Sequence, residues 1–128
     1  VNMSDTNLTN TEWRVMNCLW EASPRTSMQI AAEMREHVGW AKTTTLTMLR
    51  RMTDKGLLHC EENGDGKSYS PLVARGDAVK SETENFIERV YKGSVSLMMS
   101  EIASSQELSQ DEIDELYEIL RRAEEGKK

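Results

Sequence analysis

Gly39-Trp-Ala-Lys-Thr-Thr-Thr-Leu-Thr-Met-Leu-Arg-Arg-Met-Thr-Asp-Lys-Gly56 is the stretch on which the fold turns. On a helical wheel at about 100° per residue, Thr45, Met48, Leu49 and Met52 fall at i, i+3, i+4 and i+7 and form one buried stripe. The far side carries Thr43, Thr44, Thr47, Arg50 and Arg51, with Asp54 its only acid. Threonine is a mediocre helix former, so a need for helicity explains this cluster poorly. Hydroxyls and threonine methyls suit base edges and phosphates, and arginine suits guanine and phosphate. The stretch therefore reads as a recognition helix, set against the plainer reading of a solvated face on an ordinary core helix.

Upstream lie two further helices. Thr9 and Glu12 have capping-box spacing, and Leu8 with Trp13 has the spacing of a hydrophobic staple, so a first helix starts at Thr9. Its body is apolar around more than half its circumference through Trp13, Val15, Met16, Cys18, Leu19 and Trp20, which makes it central to a core. Core packing explains the two tryptophans better than a stacking site does. Ser23-Pro24-Arg25 ends this helix. Thr26 caps a second one, with Gln29 three positions on, and Ile30, Ala31, Met34 and Val38 form its inner stripe. Gly39-Trp40 then turns the chain into the recognition helix, giving a helix-turn-helix, with Trp40 wedging the turn against the core.

Downstream, Gly56 supplies the left-handed residue that closes the helix. Leu57 to Glu62 and Lys67 to Leu72 flank Asn63-Gly64-Asp65-Gly66, a hairpin signal. Three helices followed by a two-stranded hairpin make a winged helix-turn-helix, whose wing can lie along phosphates through Lys67 and the amides near Gly64 and Gly66. Asp65 at the tip opposes that contact. Pro71 ends the hairpin.

The chain has 128 residues and a net charge of −6, which argues against nucleic acid if taken whole. Residues 1–80 hold ten Lys/Arg and ten Asp/Glu, whereas residues 81–128 hold six and twelve. A neutral front half with its cations near one helix can bind DNA if the acidic half is held away. Cys18 and Cys60 lack C-x-x-C spacing and read as small buried hydrophobes. His59 and Cys60 are neighbours on a strand and point to opposite faces, so shared metal ligation is awkward. No metal, cofactor or catalytic residue is expected. With no apolar run long enough to span a bilayer and no signal peptide, membrane insertion is not expected and a cytoplasmic location is.

From Asp77 the pattern turns helical again. Val79, Thr83, Phe86, Val90 and Leu97 make one stripe; Ile87, Tyr91, Met98 and Ile102 make a neighbouring one, with Gly93 as a kink. Ser104 to Glu107 reads as a loop. Ser109 with Glu112 and Leu108 with Ile113 repeat the capping box and staple, opening a last helix with Ile113, Leu116, Tyr117 and Leu120 on one face. Two helices in about fifty residues cannot bury these stripes on themselves, and a second copy related by a two-fold axis is the usual remedy.

Glu12-Trp13, Val15-Met16, Leu19-Trp20, Trp40, Thr44, Leu49 and Arg51, together with Val79 to Thr83, Phe86, Arg89, Tyr91, Lys92 to Ser94 and Leu108 to Leu116, carry a resemblance. In this order and over nearly the whole length, the chain resembles the penicillinase and methicillin-resistance repressor family (BlaI/MecI). The resemblance implies a dimeric repressor whose winged helix reads a palindromic operator and whose C-terminal helices interlock. It also implies a membrane sensor-protease that answers β-lactams and triggers cleavage in the dimerisation region. Ser96 to Ile102 holds no Asn-Phe pair of the kind cut in the best-known members, and the C-terminus lacks the paired C-x-C motifs of a copper-responsive branch. Leu46 stands where polar side chains are common, and Thr43 where lysine is expected.

The sequence thus predicts a mainly α chain with a small β-hairpin: a winged helix-turn-helix over 4–73 and a two-helix dimerisation domain over 74–128. Double-stranded operator DNA would meet Lys42, Thr43, Thr44, Thr47 and Arg50 in the major groove, with Arg51 and Lys67 on phosphates. Homodimerisation would use Phe86, Ile87, Val90, Tyr91, Leu97, Met98, Ile102, Ile113, Leu116 and Leu120, and the proteolytic region would be Ser100, Glu101 and Ile102. The alternatives are a winged-helix protein-interaction module, or a copper-responsive or small-molecule-responsive repressor of similar fold.

Overall fold

The computed structural model describes residues 7–64 and 66–127. Its elements run α1 (Asn10–Glu21), β1 (Arg25–Thr26), α2 (Ser27–Val38), α3 (Lys42–Asp54), β2 (Leu58–Asn63), β3 (Gly66–Pro71), α4 (Arg75–Tyr91), α5 (Val95–Ser105) and α6 (Gln110–Glu125). The chain is mainly helical with one small antiparallel sheet, and it divides within α4, between Asn85 and Phe86, into two compact units.

In the first unit the helix starts follow from local chemistry. The Thr9 hydroxyl accepts from the Glu12 amide while the Glu12 carboxylate accepts from the Thr9 amide, and Thr26 with Gln29 does the same for α2. Val15, Met16, Cys18 and Leu19 of α1 meet Ile30 and Met34 of α2 and Leu49 and Met52 of α3 in one buried core. Leu57, Leu58, Tyr69 and Val73 extend that core under the sheet. Trp13 and Trp20 pack edge to face with centroids 5.7 Å apart, and the Trp20 indole donates to the Val73 carbonyl at 2.9 Å. Trp20 thus ties Val73, just past the wing, to α1 and Trp13 packs beside it, a packing role for both.

The expected hairpin forms from β2 and β3, and the sheet has a third strand besides: β1 pairs with β3 through Arg25↔Tyr69 and Thr26↔Ser68, giving the order β1-β3-β2. Two residues between a proline break and a helix cap carry no period, so their pairing depends on β3 being brought alongside. Cys60, placed opposite Tyr69, is only half-buried, whereas Cys18 is buried.

The second unit comprises the end of α4 with α5 and α6. The expected kink at Gly93 is a full break, because Lys92 and Gly93 both adopt positive φ (52° and 86°) and Ser94 then caps α5. Three helices therefore take part in this segment rather than two, and α5 runs through Ser105, into the stretch read as a loop. Ser109 and Glu112 form the expected capping box of α6. No described residue after Ser81 is buried. Among the described residues, no helix is long and apolar enough to cross a membrane.

Candidate nucleic-acid interface

The site is built from the α2–α3 turn. Gly39 ends α2 at φ 79°, its amide donating to the Arg35 carbonyl at 3.1 Å, a left-handed closure that glycine takes without strain. Trp40 follows, half-buried against the core, and α3 begins at Lys42. Thr45, Leu49 and Met52 are buried and Met48 is half-buried, so the inner stripe of α3 is as the periodicity predicts. Lys42, Thr43, Thr44, Arg50 and Arg51 are exposed, and Thr47 is half-buried. The tertiary structure thus leaves one face of α3 hydroxylated, basic and open to solvent.

The electrostatics favour an anion at that face. Among the described residues, Lys42, Arg50 and Arg51 take part in no ion pair, so their charge is free for a ligand. Ala41 occupies the N-cap of α3 and gives no side-chain cap, and the first turn holds no acid. The α3 N-terminus therefore keeps the positive end of its dipole unshielded, in contrast to α1, α2 and α6 with their capping boxes.

Lys67 is placed differently. It is exposed on the wing, but its Nζ lies 3.7 Å from the Glu62 carboxylate, its cross-strand partner. The register puts an acid directly opposite the lysine expected to meet phosphate, a pairing that no local sequence pattern shows. Asp65, expected at the wing tip, lies outside the described residues.

A second ion pair was invisible in the sequence. Lys55, which caps the end of α3, donates to Glu12 Oε2 at 2.6 Å, and Glu12 is buried. Burial alone would raise the Glu12 carboxyl pKa, but hydrogen bonds from Lys55 and Thr9 outweigh it, and the net shift is downward. Lys55 is thereby withdrawn from the free cations of α3 and fixes the far end of that helix to α1.

The second unit presents apolar side chains instead. Phe86, Val90, Leu97 and Leu120 are exposed, and Ile87, Tyr91, Met98, Ile102, Ile113 and Leu116 are half-buried. Tyr117, on the expected apolar face of α6, is exposed as well, and Val95 and Ile119 add exposed apolar surface outside the expected stripes. Ser100, Glu101 and Ile102 lie inside α5, where Ser100 and Glu101 are exposed. No group of three His, Cys, Asp or Glu side chains among the described residues could hold a metal ion.

With this geometry in place, the chain matches the penicillinase repressor family over residues 8–122. It belongs to that family. It is similar to the methicillin resistance regulatory protein MecI of Staphylococcus aureus (strain N315), at 30% identity over 115 residues that cover 90% of this chain and 94% of MecI. A penicillinase repressor of Bacillus licheniformis is 29% identical over 121 residues, covering 94% of each. Among solved structures, the solution structure of the DNA-binding domain of the repressor BlaI aligns with a TM-score of 0.51 and 27% identity, over 56% of this chain and 87% of that one. The Bacillus licheniformis BlaI monomeric form in complex with the blaP half-operator aligns with a TM-score of 0.51 and 26% identity, over 57% and 89%. Penicillinase repressors therefore share both this chain's sequence pattern and the winged-helix fold of its first unit.

Proposed function

We propose that this protein is a transcriptional repressor that binds a palindromic operator as a homodimer. The observation that carries the reading is the face of α3, exposed, hydroxylated and free of internal ion pairs, on a helix whose N-terminus is uncapped. It is supported by the half-operator complex of the similar BlaI. In this reading Lys42, Thr43, Thr44, Thr47 and Arg50 enter the major groove and Arg51 and Lys67 contact phosphates, while the amides at the start of α3 take a further phosphate. Residues 4–73 do the reading and residues 74–128 hold two copies together.

Exposure supports the dimer. Among the described residues, the apolar surface from Phe86 to Leu120 contains no buried side chain. A second copy would cover it and set two copies of α3 about 34 Å apart, one turn of duplex. Repression is steric, since an occupied operator blocks the promoter. The regulated genes are of the β-lactam resistance type, the protein works in the cytoplasm, and a membrane sensor-protease ends repression by cutting near Ser100, Glu101 and Ile102. Because these residues are helical, α5 must unwind locally before a protease can take them as an extended strand.

A gel shift against the DNA upstream of the protein's own gene, run at several salt concentrations, tests the reading. Sequence-selective retardation with a steep salt dependence is expected. Equal affinity for all duplexes, or none, would leave a protein-interaction module as the better description.

A further inference from the structure

The reading face of α3 contains one side chain that neither phosphate binding nor core packing explains. Leu46 is 37% exposed, and it is absent from the buried cluster that Leu49 and Met52 complete. It lies one turn from Thr43 and one turn from Arg50, about 40° around the helix from the latter. Its neighbours on the solvent side are thus threonine and arginine, and an isobutyl group at the edge of that face lowers its solubility. Its flanks make it part of the same surface as Thr43, Thr47 and Arg50, whichever way that surface docks.

Only one base offers an apolar partner there. In the major groove guanine, adenine and cytosine present donors and acceptors, and thymine adds a C5-methyl group. A leucine against any polar edge would strip water from it and return no hydrogen bond, a net loss. Against the thymine methyl, both surfaces leave water together. We propose that Leu46 is a specificity-determining residue that selects a T·A pair in each half-site by contact with the thymine methyl. This rests on the reading of α3 as the recognition helix.

Spacing places that pair relative to its neighbour. Leu46 and Arg50 are four residues apart, about 6 Å along the axis, and base pairs stack about 3.4 Å apart. The thymine therefore lies within about two base pairs of the contact that Arg50 makes.

The test removes the methyl and nothing else. With the full chain and a footprinted upstream operator, each thymine is replaced in turn by deoxyuridine. One position per half-site should lose about fourfold in affinity, the value of one buried methyl group. Leu46→Ala should weaken binding to the thymine operator and abolish the difference between thymine and uracil at that position. Leu46→Gln, a good helix former of similar length, should abolish it as well. The inference is overturned if the wild-type protein binds its operator but no uracil substitution has a cost that depends on residue 46. Failure of the wild-type protein to select any duplex would instead sink the repressor reading itself.

Discussion

Lys55 Nζ lies 2.6 Å from Glu12 Oε2, so the residue that caps the C-terminus of α3 is tied to the first turn of α1, forty-three positions earlier. The Glu12 side chain is 5% exposed and that of Lys55 52%, which makes the pair a buried acceptor reached from the surface by a long donor. The same carboxylate closes the α1 capping box, so a single side chain serves both a local and a long-range contact.

Glu12→Gln keeps the capping geometry, as Gln29 shows in α2, but loses the charge. It should lower stability by about 1–2 kcal/mol, less than for a fully buried pair because Lys55 is half in water. The Glu12 carboxyl has a pKa held below its usual value of 4.5. Its stabilisation is therefore complete above the ordinary carboxylate range and is lost as pH falls through the lowered folded value. Chemical denaturation of wild type and variant from pH 7 downward should show the two curves converging in acid. Parallel curves would contradict the assignment.

If Arg50 reads a base edge as proposed, Arg50→Ala should cost about 1–3 kcal/mol of operator affinity and relax selectivity at one base pair. Competition binding against single-position operator variants reads both effects. A loss that is uniform across sequences would move Arg50 to the phosphate backbone.

On the wing, Glu62 competes with phosphate for the Lys67 ammonium. Lys67→Ala should weaken binding to all duplexes alike and reduce the salt slope by about one. Glu62→Gln should strengthen binding modestly, by the few tenths of a kcal/mol to about 1 kcal/mol that an exposed ion pair is worth. An unchanged salt slope in Lys67→Ala would remove the wing from the interface.

Gly56 sits at φ 83° with nothing within 4 Å of a added Cβ, so Gly56→Ala meets no clash and the cost is backbone strain alone. About 1 kcal/mol is expected, read as a lower denaturation midpoint with an unaltered fold.

Leu120→Asp puts a charge on the apolar face of α6, where Leu120 is exposed in the single chain. If a second copy covers that face, the variant should sediment as a monomer and bind operator only at much higher concentration. A variant that remains dimeric would place the interface elsewhere.

What could be read in the sequence was periodic or local. Capping boxes at Thr9, Thr26 and Ser109, the closing glycines Gly39 and Gly56 and the apolar stripes each depend on residues within a turn or two of one another, so their spacing alone reveals them. The exposed face of α3 was legible for the same reason, since the stripe of Thr45, Leu49 and Met52 fixes which side is left for solvent.

Only the tertiary structure decided the contacts between distant residues. The pairing of Arg25 with Tyr69, the Glu12–Lys55 ion pair and the placing of Glu62 opposite Lys67 arise when separate elements are brought to one register, and no local pattern encodes that register. The break at Lys92 and Gly93 was hidden too, because one continuous stripe fits a bent helix and two separate helices equally well until backbone angles are known. Short-range periodicity set which surfaces this chain has. Long-range packing chose which of their charges are spent inside the protein and which stay free to meet a partner.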